Sequence, residues 1–372
     1  MVEKRYNYES LKELSLMIFQ KLGYSNEDSS CITDVLLTAD LFGIESHGLQ
    51  RLWLYQYGLD TGRINLNAKP RVIKETKLSA VIDADDAIGH PTSVKAMSMS
   101  MDKAKTFGVG IVVVKNSTHF GIAGYYSQMA AKEGLLGITM TNTEALVVPT
   151  YGKRAMLGTN PIAISMPAKP YPFLLDMSTS VVPRGKLEVH IKREQPIPLG
   201  WGVNEEGEVS DNPNEVNECI SKKICGGILP LGGAGETFGG HKGYGLALAV
   251  EIFTAILSGG YTSDLVRKRQ NVEKCCHAFI AIDYGIFGDK KYIEKYLSEF
   301  LQKLRDSEKA KGASRVYTHG EKEILNSVDR MKNGIIINEK TLKEIKDICK
   351  RYNVPLRKYL IPVQNDLYVD NR

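Results

Sequence analysis

The pattern of apolar and polar positions divides the chain into three textures. The first is helical. Ser10-Leu11-Lys12-Glu13 reads as a capping box with Gly23 as its stop, and Ser25 to Asp28 repeats the signal with Gly43 closing a second helix. Ser46 is placed to cap a third helix that runs to about Leu59, before Gly62. From about Val72 short β-rich runs take over, at 78–82, 110–114, 136–140, 172–175 and 277–282. Helical patterns at 94–107 and 122–133 separate several of them, and this alternation predicts an α/β layer structure. After Gly288 the helical period returns. Tyr292, Tyr296, Phe300 and Leu304 recur every four residues and form one apolar face. Thr341 to Glu344 opens a last amphipathic helix, and the chain from about Pro355 reads as an extended tail. The expected plan is a helical part at 1–71, an α/β part at 72–288, and a second helical part at 289–372 that packs against the first.

Composition narrows the function classes. The 372 residues are enough for a large core, and 43% hydrophobic with 24% charged residues is ordinary for a soluble globular protein. A net charge of +5 is too small for a dedicated nucleic-acid binder, yet mildly attracts an anionic cofactor or substrate. No apolar run is long enough for a membrane span, and the first ten residues, MVEKRYNYES, lack the apolar segment of a secretory signal. The six cysteines form no framework and no Cys-x-x-Cys, so they are expected as reduced thiols in a cytoplasmic protein.

Two histidines carry the most suggestive chemistry. His47 lies in Ser46-His47-Gly48-Leu49-Gln50-Arg51, at the expected first turn of the third helix. Spacing of four places Arg51 on the same helix face, and the positive helix end favours a neutral imidazole. A neutral His47 accepts a proton, and Arg51 grips a carboxylate through two parallel hydrogen bonds. The plain alternative is a surface histidine beside a solvated arginine. His119 follows the strand at 110–114 and precedes the helix at 122–133, and the next strand ends in Thr141-Asn142-Thr143. In such a βαβ unit both turns open at one sheet edge, where ligands of open α/β sheets bind, so His119 and Asn142 are expected near each other and near a ligand. The alternative is that Ser117, Thr118 and His119 only cap the following helix.

Other segments are less specific. Asp176-Met177-Ser178-Thr179-Ser180 follows an apolar run and suits ribose or phosphate, or equally a helix or turn cap. Leu157-Gly158-Thr159-Asn160-Pro161 is a tight-turn sequence. Gly232 to Gly245 holds seven glycines, includes His241-Lys242, and feeds a helix, which makes an anion site. It fits neither the Walker loop nor the Rossmann fingerprint, so a nicotinamide nucleotide would bind by another route. His319-Gly320-Glu321 reads as a turn between helices, and His90, before Pro91, reads as a turn residue. Cys276-His277 is too isolated for zinc, and no metal site is expected.

Taken together, the motifs ESHGLQR, NSTHFGIAGYY, LGTNPIA, LLDMSTS, PLGWGVNEEGEVSDNP, HKGYGLALAVEI and HAFIAID resemble the malate/L-lactate dehydrogenases that lack a Rossmann fold, from about Ala39 to Glu321. Sulfolactate, ureidoglycolate and diketogulonate oxidoreductases share that family. The resemblance implies a mixed-sheet α/β domain that binds NAD, or NADP, in its own topology, a helical domain built from both chain termini, and homodimers with active sites near the subunit interface. It implies His47 and His119 as acid/base residues beside Arg51, and cofactor contacts at Thr143, Asp176, Met177, Ser178, His241, Lys242, His319, Gly320 and Glu321. His241 stands where relatives often have Pro, and Ser178 where they often have Ala. The tail past about Arg351 finds no match. The activity implied is hydride exchange between a nicotinamide cofactor and a small 2-hydroxy acid/2-oxo acid pair, malate/oxaloacetate first, with imino-acid reduction or a non-catalytic binding protein as alternatives.

Overall fold

The computed structural model describes residues 4–267 and 273–363. Its centre is a seven-stranded mixed sheet in the order Arg71–Glu75, Ser79–Asp83, Val109–Ser117, Cys275–Ile282, Leu136–Thr141, Ile162–Met166, Phe173–Met177. Ser79–Asp83 and Val109–Ser117 run parallel; every other neighbouring pair is antiparallel. The mixed α/β architecture is therefore the expected one. Val109–Ser117 and Leu136–Thr141 point the same way, as a βαβ unit requires. They are not adjacent, because Cys275–Ile282 lies between them, with Cys275 opposite Ser117 and His277 opposite Thr141.

Side-chain alternation assigns each sheet face its own cover. Val112, Val114 and Phe279 pack with Ala96, Met97, Tyr126 and Ala130 of the helices Gly89–Phe107 and Ala123–Lys132. Val113, Ala278 and Ile280 face the other way, toward Val250 of the helix Gly240–Glu251. Cys275–Ile282 is thus covered on both sides, which is why it is apolar but for His277 and buried along nearly its whole length.

The chain ends share a further core. Leu11, Leu14, Ile18, Ile32, Leu36 and Tyr55 pack with Ile335, Ile345, Ile348 and Tyr359, and Arg5–Tyr6 pairs antiparallel with Ile335–Ile336. Local capping corrects two expectations. The first helix, Tyr8–Lys21, is capped by Asn7, whose side chain accepts from the Ser10 amide. The residues at 46–59 do not form one helix: Glu45–His47 and Leu49–Arg51 are separate 3₁₀ turns, and the α-helix begins only at Leu52. The second helix, Asn26–Phe42, has Ser25 and Gly43 at its ends as read from the sequence. Short helix Leu356–Tyr359 replaces the start of the expected extended tail, and 364–372 lie outside the described residues.

Candidate active site

His119 stands just past the end of Val109–Ser117, and Glu273 precedes the neighbouring strand Cys275–Ile282. The His119 amide donates to Glu273 Oε1 at 3.0 Å, and Arg267 donates to the same oxygen at 2.9 Å and to Glu144 Oε1 at 3.1 Å. This carboxylate fixes the backbone at His119 while its own charge is balanced by the guanidinium. Ser117, Thr118 and His119 do not cap the following helix, whose N-cap is Ile122 without a side-chain bond. That first turn is served by Asp176, whose Oδ2 accepts from the Gly124 amide at 2.7 Å.

His47 reaches the same place from the terminal helices. Its ring stacks on that of His119 at 5.4 Å between centroids, with 28° between planes. The turn carrying it is built around Gly48: a Cβ there would lie 1.9 Å from Asp40 Oδ1. Asp40 Oδ2 accepts from the Leu49 amide at 2.8 Å, and burial raises that carboxyl to about 8. Arg330 donates to the Asp40 carbonyl at 2.7 Å and to Glu45 Oε1 at 2.8 Å. The Arg51 Nε donates to the Ser46 carbonyl at 2.5 Å, which folds the guanidinium back over the His47 turn.

Both imidazoles are held neutral. Burial, and then the Arg51 charge, lower His47 to about 3. Burial followed by His47, Arg51, His90 and Arg267 hold His119 well below the ordinary imidazole range. The expected cause at His47, a helix dipole, does not apply, because no α-helix starts there. Loss of solvation beside a cation produces the same neutral ring by another route.

Two residues not read from the sequence as part of the site complete the group. The Tyr55 hydroxyl lies 2.7 Å from His119 Nδ1 and 3.2 Å from His90 Nε2. Tyr55 follows Arg51 by four positions, a spacing that offered a signal. His90 is not a turn residue: it sits in the first turn of Gly89–Phe107 and is fully buried. A Cβ at Gly89 would lie 2.4 Å from the Thr118 carbonyl, so this helix start is pressed against the segment carrying His119.

The cofactor candidates fall into groups. Asn142 turns inward: its amide donates to the Tyr261 carbonyl at 2.8 Å, and its Oδ1 accepts from the Cys276 amide at 2.8 Å. Asn142 is therefore a strand-to-loop tie, not the ligand-facing group expected, because those partners consume its polar atoms. Thr143 remains half-buried at the edge, accepting from the Thr159 amide at 3.0 Å. Asp176, Met177 and Ser178 are half-buried at the end of the edge strand, and burial raises Asp176 to about 6. The loop at His319 joins this strand, since the Leu174 amide donates to the His319 carbonyl at 3.2 Å and Gly320 backs on Pro172 and Leu174. His319 is exposed, whereas Glu321 is buried and paired with Arg315, which makes it a support for the loop. His241 and Lys242 are exposed in the first turn of Gly240–Glu251, which has no side-chain cap.

Known proteins resemble this chain along nearly its whole length. The family model for malate/L-lactate dehydrogenase matches residues 6–346. A malate dehydrogenase of Pyrococcus horikoshii is 44% identical over 95% of this chain and 99% of its own length. An L-sulfolactate dehydrogenase of Methanocaldococcus jannaschii is 37% identical over 95% of this chain and 98% of its own. The crystal structure of malate dehydrogenase from Entamoeba histolytica superposes with a TM-score of 0.91 at 36% identity, covering 95% of this chain and 99% of that one. A family model that spans 6–346, relatives alike along nearly the whole length and a shared fold have one common explanation: the chain belongs to the malate/L-lactate dehydrogenase family.

Proposed function

We propose that this protein is a nicotinamide-dependent dehydrogenase that interconverts a 2-hydroxy acid and its 2-oxo acid, with malate and oxaloacetate as the leading pair. The observation that carries this reading is the stacked His47–His119 pair with Arg51 tied to the Ser46 carbonyl beside it. His119 Nδ1 faces inward to Tyr55, which leaves Nε2 to meet substrate. In the oxidising direction His119 Nε2 takes the hydroxyl proton, His47 binds the same oxygen, and Arg51 holds the C1 carboxylate. A neutral imidazole is ready for that proton at neutral pH.

The residues fit a nicotinamide dinucleotide. The uncapped first turn of Gly240–Glu251, with exposed His241 and Lys242, suits the diphosphate. Thr143, Asp176, Met177, Ser178 and His319 are the candidates for the ribose and nicotinamide side. A nicotinamide held there would supply the hydride acceptor or donor for the carbon that bears the hydroxyl. We take NAD as the cofactor, with NADP as its competitor. The exposed face of Lys290–Arg305, where Tyr292 and Tyr296 are each 65% exposed, together with exposed Leu246, Ile252 and Ile256, supports a homodimer. Among the described residues no helix is long and apolar enough to cross a membrane, and we place the enzyme in the cytoplasm, with the nicotinamide pool.

A second reading replaces the distal carboxylate by a sulfonate, and the sulfolactate dehydrogenase likeness favours it. Loss of absorbance at the NADH band, followed with oxaloacetate, 3-sulfopyruvate, pyruvate and pyruvate plus methylamine, and repeated with NADPH, tests both. The expected order places oxaloacetate first. Faster turnover of sulfopyruvate selects the second reading, and no oxidation with any of the four removes both.

A further inference from the structure

The strand that delivers His119 has one residue more than the neighbour it pairs with. Val114 stands opposite His277 and Ser117 opposite Cys275, so Lys115 and Asn116 together face the single residue Cys276. This is a β-bulge, and it ends three residues before His119. Asn116 takes up the extra length with a backbone φ of 54°, in the left-handed region. Residues with a Cβ enter that region at a steric cost, which asparagine bears better than most and branched side chains bear worst.

The bulge changes which way the chain faces beyond it. Side chains alternate along a strand, so one inserted residue exchanges the two faces. Before the bulge, Val112 and Val114 point to the helices Gly89–Phe107 and Ala123–Lys132, and Val113 points to Gly240–Glu251. With regular pairing Ser117, and His119 in line with it, would follow Val113. Ser117 instead lies opposite Cys275, which shares a face with His277 and Phe279, and Phe279 packs with Val112 and Val114. Two residues on, the chain comes out against the start of Gly89–Phe107, and His119 Nδ1 lies 2.7 Å from the Tyr55 hydroxyl. The bulge is braced from Ser79–Asp83 and the turn after it. Asn116 Nδ2 donates to Asp83 Oδ1 at 3.0 Å, and the Asn116 carbonyl accepts from the Asp86 amide at 2.8 Å. Asp86 Oδ2 in turn accepts from Lys274 Nζ at 2.6 Å, which ties the brace to the strand on the other side.

We infer that Asn116 is a positioning residue for His119: by holding the extra residue of the strand in the left-handed conformation, it turns the chain over so that His119 meets Tyr55 and His47 rather than the opposite face of the sheet. The asparagine that opens Asn116-Ser117-Thr118-His119 thus serves the backbone, and the histidine three residues later depends on it. Its bearing on turnover rests on the function proposed above; its bearing on where the His119 ring lies does not.

Three substitutions at this one position, made in the full chain, separate the backbone from the side chain. Asn116→Gly gives up the bond to Asp83 but takes a positive φ freely; Asn116→Ala gives up the same bond and adds a Cβ; Asn116→Val adds a branched one. Asn116→Val is expected to lower kcat by about 10–100-fold, as displacement of an acid/base group does, with KM and nicotinamide binding little changed. Asn116→Ala is expected to fall between, and Asn116→Gly to recover most of kcat. NMR of histidine-labelled protein, with the His119 ring signals identified by their loss in His119→Gln, is expected to show those signals moved in Asn116→Val and returned in Asn116→Gly. Circular dichroism and melting confirm that each variant is folded, and an unfolded Asn116→Val leaves Asn116→Ala against Asn116→Gly to decide. A lowered melting temperature with wild-type kcat and unmoved His119 signals assigns Asn116 to stability alone and overturns the inference. Asn116→Gly as impaired as Asn116→Val also overturns it, since the effect would then lie in the Asp83 bond. Wild type that turns over no hydroxy or oxo acid, with His119 signals that move and return as expected, defeats the functional reading alone.

Discussion

The two facing imidazoles are held by different parts of the molecule. His119 belongs to the sheet: it leaves the strand Val109–Ser117, its amide is tied to Glu273, and its ring backs on buried Tyr55 and His90. His47 belongs to the helices from the chain ends. It rides a 3₁₀ turn pinned by Asp40, Gly48 and Arg330, the last some 290 residues from Asp40 in sequence. His119 thus has a deep polar support for its inner nitrogen. Among the described residues His47 Nδ1 has only the exposed Ser46 hydroxyl, at 2.9 Å. A ring with a buried, directional partner is fitted to move a proton; a ring on a short turn is fitted to bind and polarise.

Four measurements break or sharpen this contrast, in falling order of effect. His119→Ala is expected to reduce turnover by about 10²–10⁴-fold while nicotinamide binding, read by fluorescence titration, stays close to wild type. An unchanged kcat would transfer the proton step to His47. Arg51→Gln is expected to raise KM for the oxo acid by about 10–100-fold, since one ionic hydrogen-bonding partner of a carboxylate is lost, with a smaller change in kcat. A pure kcat defect would place Arg51 outside substrate binding. Gly48→Ala forces a methyl onto the Asp40 carboxylate and is expected to cost about 1–3 kcal/mol. Thermal melting reads the loss, and the His119 ring signals are expected to stay as in wild type because the sheet side is untouched. Movement of both would mean the two supports are one unit.

The smallest expected effect is a flat line. His119 is held below the ordinary imidazole range, so its proton-accepting form dominates above its lowered pKa. As pH falls from 8 through about 6.5, where a free imidazole titrates, kcat/KM for oxidation is expected to stay level and to decline only in more acid solution. A break near 6.5 that disappears in His119→Ala would show that the ring is solvated in the free enzyme.

The site was legible in unequal measure. His47, Arg51 and His119 stand in compact motifs whose residue types already suggest a base and a carboxylate clamp. Of the two readings weighed for Asp176, the structure shows the cap: from the end of its strand it serves the first turn of Ala123–Lys132. Tyr55 and Glu273 went unassigned, and His90 was read as a turn residue, because their parts exist as contacts across 64, 154 and 35 positions. The face of Tyr292, Tyr296, Phe300 and Leu304 was correctly periodic, yet periodicity could not say that it stays uncovered in a single chain. The helix expected from Ser46 failed because local capping preferences yielded to the Asp40 carboxylate, which occupies the space beside Gly48.

What the sequence settled by itself is the inventory and its rough order: apolar runs of strand and helix length, and a histidine–arginine motif and a second histidine motif, each read from neighbours within a few residues. Such signals survive because periodicity and turn chemistry are local. Tertiary structure alone decided that Cys275–Ile282 enters between two earlier strands, that the helical ends bring His47 onto His119, and that a phenol reaches two imidazoles at once. Those outcomes depend on which apolar faces bury one another and on which polar atoms must then find partners away from water, and neither is written in any short stretch of the chain.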